Sequence, residues 1–278
     1  MTKLPFFQVD AFAEAPFTGN PAAVMPLEQW LPDETLQAIA MENNLSETAF
    51  AVPDADGEAD YELRWFTPAV EVALCGHATL ASGHVLMTGE HVRFSTRKAG
   101  MLEVVRDPGS GPGAGSGRYA LSLPAWKPAP RPLPELVAAL GAEPVATLWH
   151  DKGYALVVVA SAGEVLAAAP DMRALARQGD IVAIVSAPGA DSDFGTDIVS
   201  RVFAPGAGIE EGPVTGSAHS AMASYWTERL GRDRFTAYQA SARGGRLDCR
   251  LDGERVILVG NCVTVIEGEF SLAPAPSG

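Results

Sequence analysis

Two stretches of the chain repeat one pattern, and that pattern limits the fold more than any other feature. Phe66-Thr67-Pro68 comes ten residues before Gly76, which opens a helix in CGHATLAS; Phe203-Ala204-Pro205 comes thirteen residues before Gly216, which opens a helix in TGSAHSAMAS. Each unit is a strand ending in Phe-x-Pro, then a loop, then a glycine starting a helix of small residues. The offset is about half of the 278 residues. Self-similarity at that distance implies an internal duplication, and the length is close to two average domains. A Pro-rich stretch, Trp126 to Pro134, is the best linker candidate. The expected division is residues 1–128 and 129–264, with 265–278 a C-terminal strand or tail that can return to the first domain.

The rest of the chain reads as short strands with a few helices. Pro32 to Glu42 carries a first-turn proline, Asp33 and Glu34 at the positive end of the dipole, and Leu36, Ile39 and Ala40 on one face, which predicts a helix ended by Asn43 or Asn44. Gly76 to Met87 and Ser217 to Leu230 are helices of mainly small residues, the first buried. Shorter helices are expected at Pro134 to Leu140 and Asp171 to Arg177. Strands are expected at 6–11, 47–52, 61–66, 101–106, 118–123, 146–149, 154–160, 181–186 and 197–203. Near the C-terminus, 246–251 and 254–259 flank an Asp252-Gly253 turn, and a last strand covers 262–267. The glycine-rich run Asp107 to Gly117 has no GxGxxG or P-loop register and no helix after it, so it reads as a hairpin loop.

Composition removes several function classes. Lys plus Arg is 20 against 34 Asp plus Glu, a formal charge of −14, which is wrong for a protein that neutralises a phosphate backbone. With 47% hydrophobic residues the chain has the apolar content to fold. No apolar run approaches the ~20 residues that cross a bilayer, and the N-terminus has no signal-peptide core. The three cysteines, Cys75, Cys249 and Cys262, form no CxxC pair, which argues against a disulfide framework and a zinc site and fits a reducing cytoplasm. No HxxxH or HExxH spacing occurs, so no metal is expected.

A helix start presents unpaired N–H groups and partial positive charge, and a glycine there lets an anion approach. The starts at Gly76 and Gly216, taken as a pair, therefore point to a small anionic substrate. Proton carriers near these elements are Glu47, Cys75, His77 and His219. Partial burial at a strand start would raise the pKa of Glu47 and let it serve as base and acid. Cys75, just before a helix, is expected to have a lowered pKa and to be a possible second base; a buried thiol with no role is the competing reading. His77 sits in the first helical turn, where the dipole favours neutral imidazole. His219, His84, His91 and His150 read as packing or surface residues.

GNPAAV (Gly19 to Val24), NLSETAF (Asn44 to Phe50), RWFTPAVEVALCGHATLAS (Arg64 to Ser82) and FAPGAGIEEGPVTGSAHSAMASY (Phe203 to Tyr225) together resemble the PhzF-like family of phenazine-biosynthesis isomerases, from Phe6 through Val265. The resemblance implies an α+β fold of the diaminopimelate epimerase-like class, two pseudo-symmetric domains each with a curved sheet around a central helix and an active site in the cleft. It implies a cofactor-independent, commonly dimeric isomerase that moves a proton on a small carboxylate. By matching motifs, Glu47 carries the proton, His77 assists, Ser217 and the glycines Gly76 and Gly216 bind the carboxylate, and Asn20 lines the cleft. Cys75 falls where related epimerases carry a catalytic thiol, so a Glu/Cys two-base racemase is the alternative. One position departs: where the family usually has Asp, in E-D-P-V-T-G, this chain has Gly212. A charge-assisted hydrogen bond lost there costs about 1.5–3 kcal/mol, leaving redirected activity or a non-catalytic binder as further readings.

Overall fold

The computed structural model describes residues 2–107 and 117–272. The chain divides into two compact units, Met1–Ser122 with Gly260–Gly278, and Leu123–Val259. Unit 1 contains β1 (Thr2–Ala11), β2 (Asn20–Pro26), α1 (Asp33–Asn43), β3 (Glu47–Pro53), β4 (Tyr61–Phe66), β5 (Glu71–Val72), α2 (Gly76–Leu86), β6 (His91–Thr96), β7 (Leu102–Arg106) and β8 (Arg118–Pro124). Unit 2 contains β9 (Ala129–Pro130), α3 (Pro134–Leu140), β10 (Ala146–His150), β11 (Tyr154–Val158), α4 (Ala162–Ala167), α5 (Met172–Ala176), β12 (Val182–Pro188), β13 (Ile198–Phe203), a 3-10 turn at Pro205–Ala207, α6 (Gly216–Leu230), β14 (Arg234–Gln239) and β15 (Gly245–Asp252). The long β16 (Arg255–Leu272) begins in unit 2 and ends in unit 1.

The duplication is visible in the strand pairing. In unit 1 the order is β1-β2-β3-β4-β6-β7-β8, with β2/β3 and β4/β6 parallel and the other neighbours among β1 to β7 antiparallel. In unit 2 β10-β11-β12-β13-β14-β15 repeats that alternation, with β11/β12 and β13/β14 parallel. Parallel neighbours need a crossover, and α1 and α2 supply it in unit 1 as α4 with α5 and α6 do in unit 2. β16 also lies beside both β8 and β1, so the strands of unit 1 close around α2. That helix touches β1, β2, β3, β6 and β7, and Gly76 through Gly83 are all buried. A helix covered on every face must be built of small residues, because its neighbours approach from all sides.

Most expected elements are present within a residue or two. Pro32 starts α1, and Asn44 at φ 48° ends it in the left-handed region. The structure adds elements not expected from the sequence: β2, β6, α4 and β14, together with the two-residue strands β5 and β9 and the 3-10 turn. The two strands expected at 254–259 and 262–267 are one strand, β16. Trp126 to Pro134 is not a free linker: Ala125 N–H donates to Glu254, Trp126 N–H to Ser220, and β9 pairs with β10. The boundary therefore falls after Ser122, and the return to unit 1 begins at Gly260. Within the expected hairpin loop, 108–116 lie outside the described residues, as do 273–278 of the expected tail. Among the described residues no helix is long and apolar enough to cross a membrane.

One buried cation ties down the segment leading to α2. Arg64 of β4 is 3% exposed. Its guanidinium donates to both Glu71 oxygens at 2.7 and 2.9 Å and to Asp33 at 2.9 Å, and it lies over the Trp30 and Phe66 rings. Hydrogen bonding to Arg64 holds the Glu71 and Asp33 carboxyls below their ordinary pKa. Breaking a fully buried ion pair costs about 3–5 kcal/mol, and since the Glu71 side chain is 25% exposed we expect about 2–3 kcal/mol for Arg64→Ala. A carboxyl with a depressed folded-state pKa stabilises above its unfolded value and loses that contribution as pH falls through the folded one. Urea denaturation should therefore show the full gap between wild type and Arg64→Ala at neutral pH, shrinking below about pH 4. A gap that stays constant down to about pH 3 would show that Arg64 acts by packing alone.

Candidate active site

Unit 1 brings Asn20, Glu47, Cys75, Gly76 and His77 together. Gly19, at φ 69°, turns the chain into β2; an added Cβ would meet the Ala11 carbonyl oxygen at 2.3 Å, so only glycine fits. Asn20 is thereby fixed opposite Ala11 in the β1/β2 ladder and is buried. Glu47 is the first residue of β3, pairing in parallel register with Ala22 of β2. Cys75 is the extended residue before α2, Gly76 is the first helical residue, and His77 follows it.

His77 is the hub. Its Nδ1 lies 3.1 Å from Asn20 Nδ2 and 3.5 Å from Cys75 Sγ, and its Nε2 lies 3.0 Å from Glu47 Oε2. The Asn20 amide nitrogen and the Cys75 thiol thus face Nδ1, and the Glu47 carboxylate faces Nε2. Glu47 Oε2 and His77 Nε2 are buried, and neither makes a hydrogen bond of good angle. They face each other without being consumed by the protein. Burial, and then the neighbouring Glu47 charge, push the Cys75 thiol well above its ordinary pKa. This corrects the expected lowered value: the helix dipole is outweighed by desolvation and by a carboxylate on the same side. Among the described residues, Glu47, Cys75 and His77 are also the group of His, Cys, Asp or Glu donors close enough to share one ion.

Unit 2 presents the matching helix start with different chemistry. Thr215, Gly216 and Ser217 occupy the places of Cys75, Gly76 and His77. Neither α2 nor α6 has a side-chain cap or an acidic residue in its first turn, whereas Ser161 caps α4 and Asp171 caps α5. A helix start without a side-chain cap or an acidic residue suits an anion, although in α2 the His77 and Ala78 N–H groups already reach the Cys75 sulfur. Tyr154, at the start of β11, hydrogen-bonds Ser217, and burial raises its pKa. Its ring lies 4.8 Å from Trp126, which stacks on His150. His219 is fully buried, donates from Nδ1 to the Thr215 carbonyl at 2.8 Å, and is pushed down to about 4 by burial, so it is neutral packing as expected.

Gln239, absent from the sequence reading, holds this loop. Its buried amide donates to the Gly212 carbonyl at 2.7 Å and accepts from Thr215 N–H at 2.8 Å. The signal was a polar residue in phase with Phe235 and Ala237 on the buried face of β14. Gly212 brings no carboxylate, and a Cβ added there would stand 2.6 Å from Thr215 Oγ1.

The description "Phenazine biosynthesis-like protein", the PhzC-PhzF family, matches residues 9–268. The chain belongs to that family. An uncharacterised isomerase of Pseudomonas aeruginosa is 48% identical over 277 residues, covering 98% of this chain and all of the relative. A PhzF-family crystal structure from Enterococcus faecalis is 40% identical with a TM-score of 0.87, covering 98% of this chain and all of that one. A predicted epimerase of Pseudomonas aeruginosa, 22% identical, matches over 97% of this chain and all of that one with a TM-score of 0.72 and shares the fold. The fold is thus the α+β, diaminopimelate epimerase-like one, and the family is one of isomerases.

Two outcomes follow for this site. Cys75, Cys249 and Cys262 are all buried with raised pKa, so at mildly alkaline pH the native protein should react with iodoacetamide far more slowly than free cysteine, and all three thiols should react in urea. Rapid labelling of Cys75 in the native state would contradict its burial. Gly212→Ala should cost about 1–3 kcal/mol by overpacking, and less in a Thr215→Ala background, where the obstructing hydroxyl is gone. Equal costs in both backgrounds would mean that Thr215 Oγ1 is not the obstacle.

Proposed function

We propose that this chain is a cofactor-independent isomerase that moves a proton between carbons of a small carboxylate-bearing molecule. The observation that carries this reading is the buried Glu47 carboxylate oxygen, 3.0 Å from His77 Nε2 and not engaged in a well-formed hydrogen bond. A carboxylate so placed accepts a proton from an activated carbon and returns it to another. His77 assists by hydrogen bonding, with Asn20 beside its ring, while the negative charge that leaves Glu47 develops on the substrate. The N–H groups of Gly76, Gly216 and Ser217 serve as anion donors. In this reading, one positioned carboxylate supplies about 10²–10⁴-fold and substrate positioning the remainder.

The geometry favours one base over the Glu47/Cys75 pair. A two-base racemase holds the reacting carbon between its bases. Here Cys75 and Glu47 offer their ligand atoms within 4.8 Å of each other, and each also contacts the His77 ring. That spacing is short for two bases flanking a carbon, and the position matching Cys75 in unit 2 is Thr215, an alcohol.

The test is proton NMR in D2O with a panel of dihydro-hydroxyanthranilate, amino acids and hydroxyproline-like acids. Deuterium should enter one carbon of one class. Glu47→Gln should lower that rate by about 10²–10⁴-fold, and Cys75→Ser by only a few-fold. Full exchange in Glu47→Gln would overturn the mechanism. Collapse in Cys75→Ser would restore the two-base racemase. A folded protein that binds a panel member without exchange would favour a binder disabled at Gly212.

A further inference from the structure

Glu47, Cys75 and His77 present a carboxylate, a thiol and an imidazole, one ligand atom each, all within 4.8 Å of one another. That is the donor set of an open zinc site, in which three protein ligands leave the fourth position for water. Bond lengths of about 2.0–2.3 Å place tetrahedral ligand atoms about 3.3–3.5 Å apart, so the donors need to converge by only about 1 Å. Two of the donor atoms, Glu47 Oε2 and His77 Nε2, are buried and lack hydrogen-bond partners, yet face each other at 3.0 Å. The other ring nitrogen, Nδ1, is held by Asn20, the kind of outer contact that orients a metal-bound histidine.

We propose that these three side chains form a binding site for one thiophilic divalent cation, Zn2+ or Co2+, with Nε2 of His77, the Glu47 carboxylate and the Cys75 sulfur as ligands. On binding, the Cys75 S–H bond gives its proton to solvent and the sulfur lone pair goes to the metal; His77 binds as the Nδ1–H tautomer, with the Asn20 carboxamide oxygen turned to accept from Nδ1–H, so that the Nε2 lone pair goes to the metal, and nothing is oxidised or reduced. Sequence spacing gave no hint of this, because Glu47 lies on β3 and the other two residues flank the start of α2; only the packing of α2 against β3 joins them. The site excludes Mg2+ and Ca2+, which prefer all-oxygen ligand sets. The donor atoms Glu47 Oε2 and His77 Nε2 are themselves buried, while the Glu47 and His77 side chains keep 12% and 7% of their surface exposed, so an ion enters by a small shift of these side chains. If Glu47 carries the proton as proposed above, an ion here blocks turnover. That consequence rests on the isomerase reading; the binding itself does not.

The experiment needs no substrate, so its failure is distinct from failure of the isomerase reading. Chelator-treated full-length protein is titrated anaerobically with Co2+. One equivalent should bring a thiolate-to-cobalt charge-transfer band in the near ultraviolet and intense visible bands of tetrahedral cobalt, both bleached by Zn2+ and untouched by excess Mg2+. Cys75→Ser should abolish the charge-transfer band. Glu47→Gln should weaken binding by more than the ~10–100-fold that loss of an outer-shell partner costs. A second measurement does not depend on any variant folding: X-ray absorption of the zinc-loaded wild type should show one sulfur among oxygen and nitrogen ligands. No thiolate band in the wild type, a band that survives in Cys75→Ser, or two or more sulfurs around zinc would each overturn the proposal.

Discussion

The structure depends on a helix that has no outside. In unit 1 the strands close around α2, and its first eight residues are buried on every face. Large side chains would hold the sheet away, so the helix is made of Gly, Ala, Ser, Thr and one Leu in that stretch, with His77 the exception. Burial of the helix body leaves its start, where the His77 and Ala78 N–H groups meet the Cys75 sulfur, as the place where backbone donors can meet side chains. The same constraint acts on α6, where Gly216, Ala218, Ser220, Ala221 and Ala223 allow close contact with β11, β14 and β15. The fold therefore makes anion-receptive helix starts as a by-product of packing, and chemistry has only to be placed next to them.

The two copies then diverge in what they place there. Unit 1 carries a thiol, an imidazole and, from β3, a carboxylate. Unit 2 carries the alcohols of Thr215 and Ser217 and the phenol of Tyr154, none of which exchanges a proton readily near neutral pH. Duplication supplied the frame, and titratable groups were kept on one side only. Gly212 extends that division. Where the family has a carboxylate this chain has none, and the space is filled by the Thr215 hydroxyl and locked by Gln239. Restoring an acid at Gly212 thus requires more than adding a side chain, since Thr215 Oγ1 already occupies its path.

Features that depend on local residue type were legible in the sequence. The duplication, α1 with its Pro32 start and Asn44 stop, the small-residue helices and the grouping around Glu47 and His77 all follow from local pattern or motif. Features that depend on long-range pairing were not. β2 reads as NPAAVMP, with two prolines and two alanines, and is a strand because β1 and β3 flank it. Trp126 to Pro134 has linker composition, but Trp126 finds the His150 and Tyr154 rings and β9 finds β10. The thiol of Cys75 was misjudged for the same reason: its helix position is local and visible, whereas the carboxylate and the burial that reverse its pKa come from β3 and the surrounding strands.

That reversal bears on how such a site works. A thiol with a raised pKa beside a carboxylate stays protonated near neutral pH and is a poor nucleophile. Its sulfur hydrogen-bonds Glu47 and lies 3.5 Å from His77 Nδ1, which the Asn20 amide nitrogen approaches at 3.1 Å. A single base beside an imidazole can lift a proton from one carbon and set it down on a neighbour on the same face, which is isomerisation. Inversion at one carbon requires a second base on the opposite face, and the residue of unit 2 that matches Cys75 is Thr215, an alcohol.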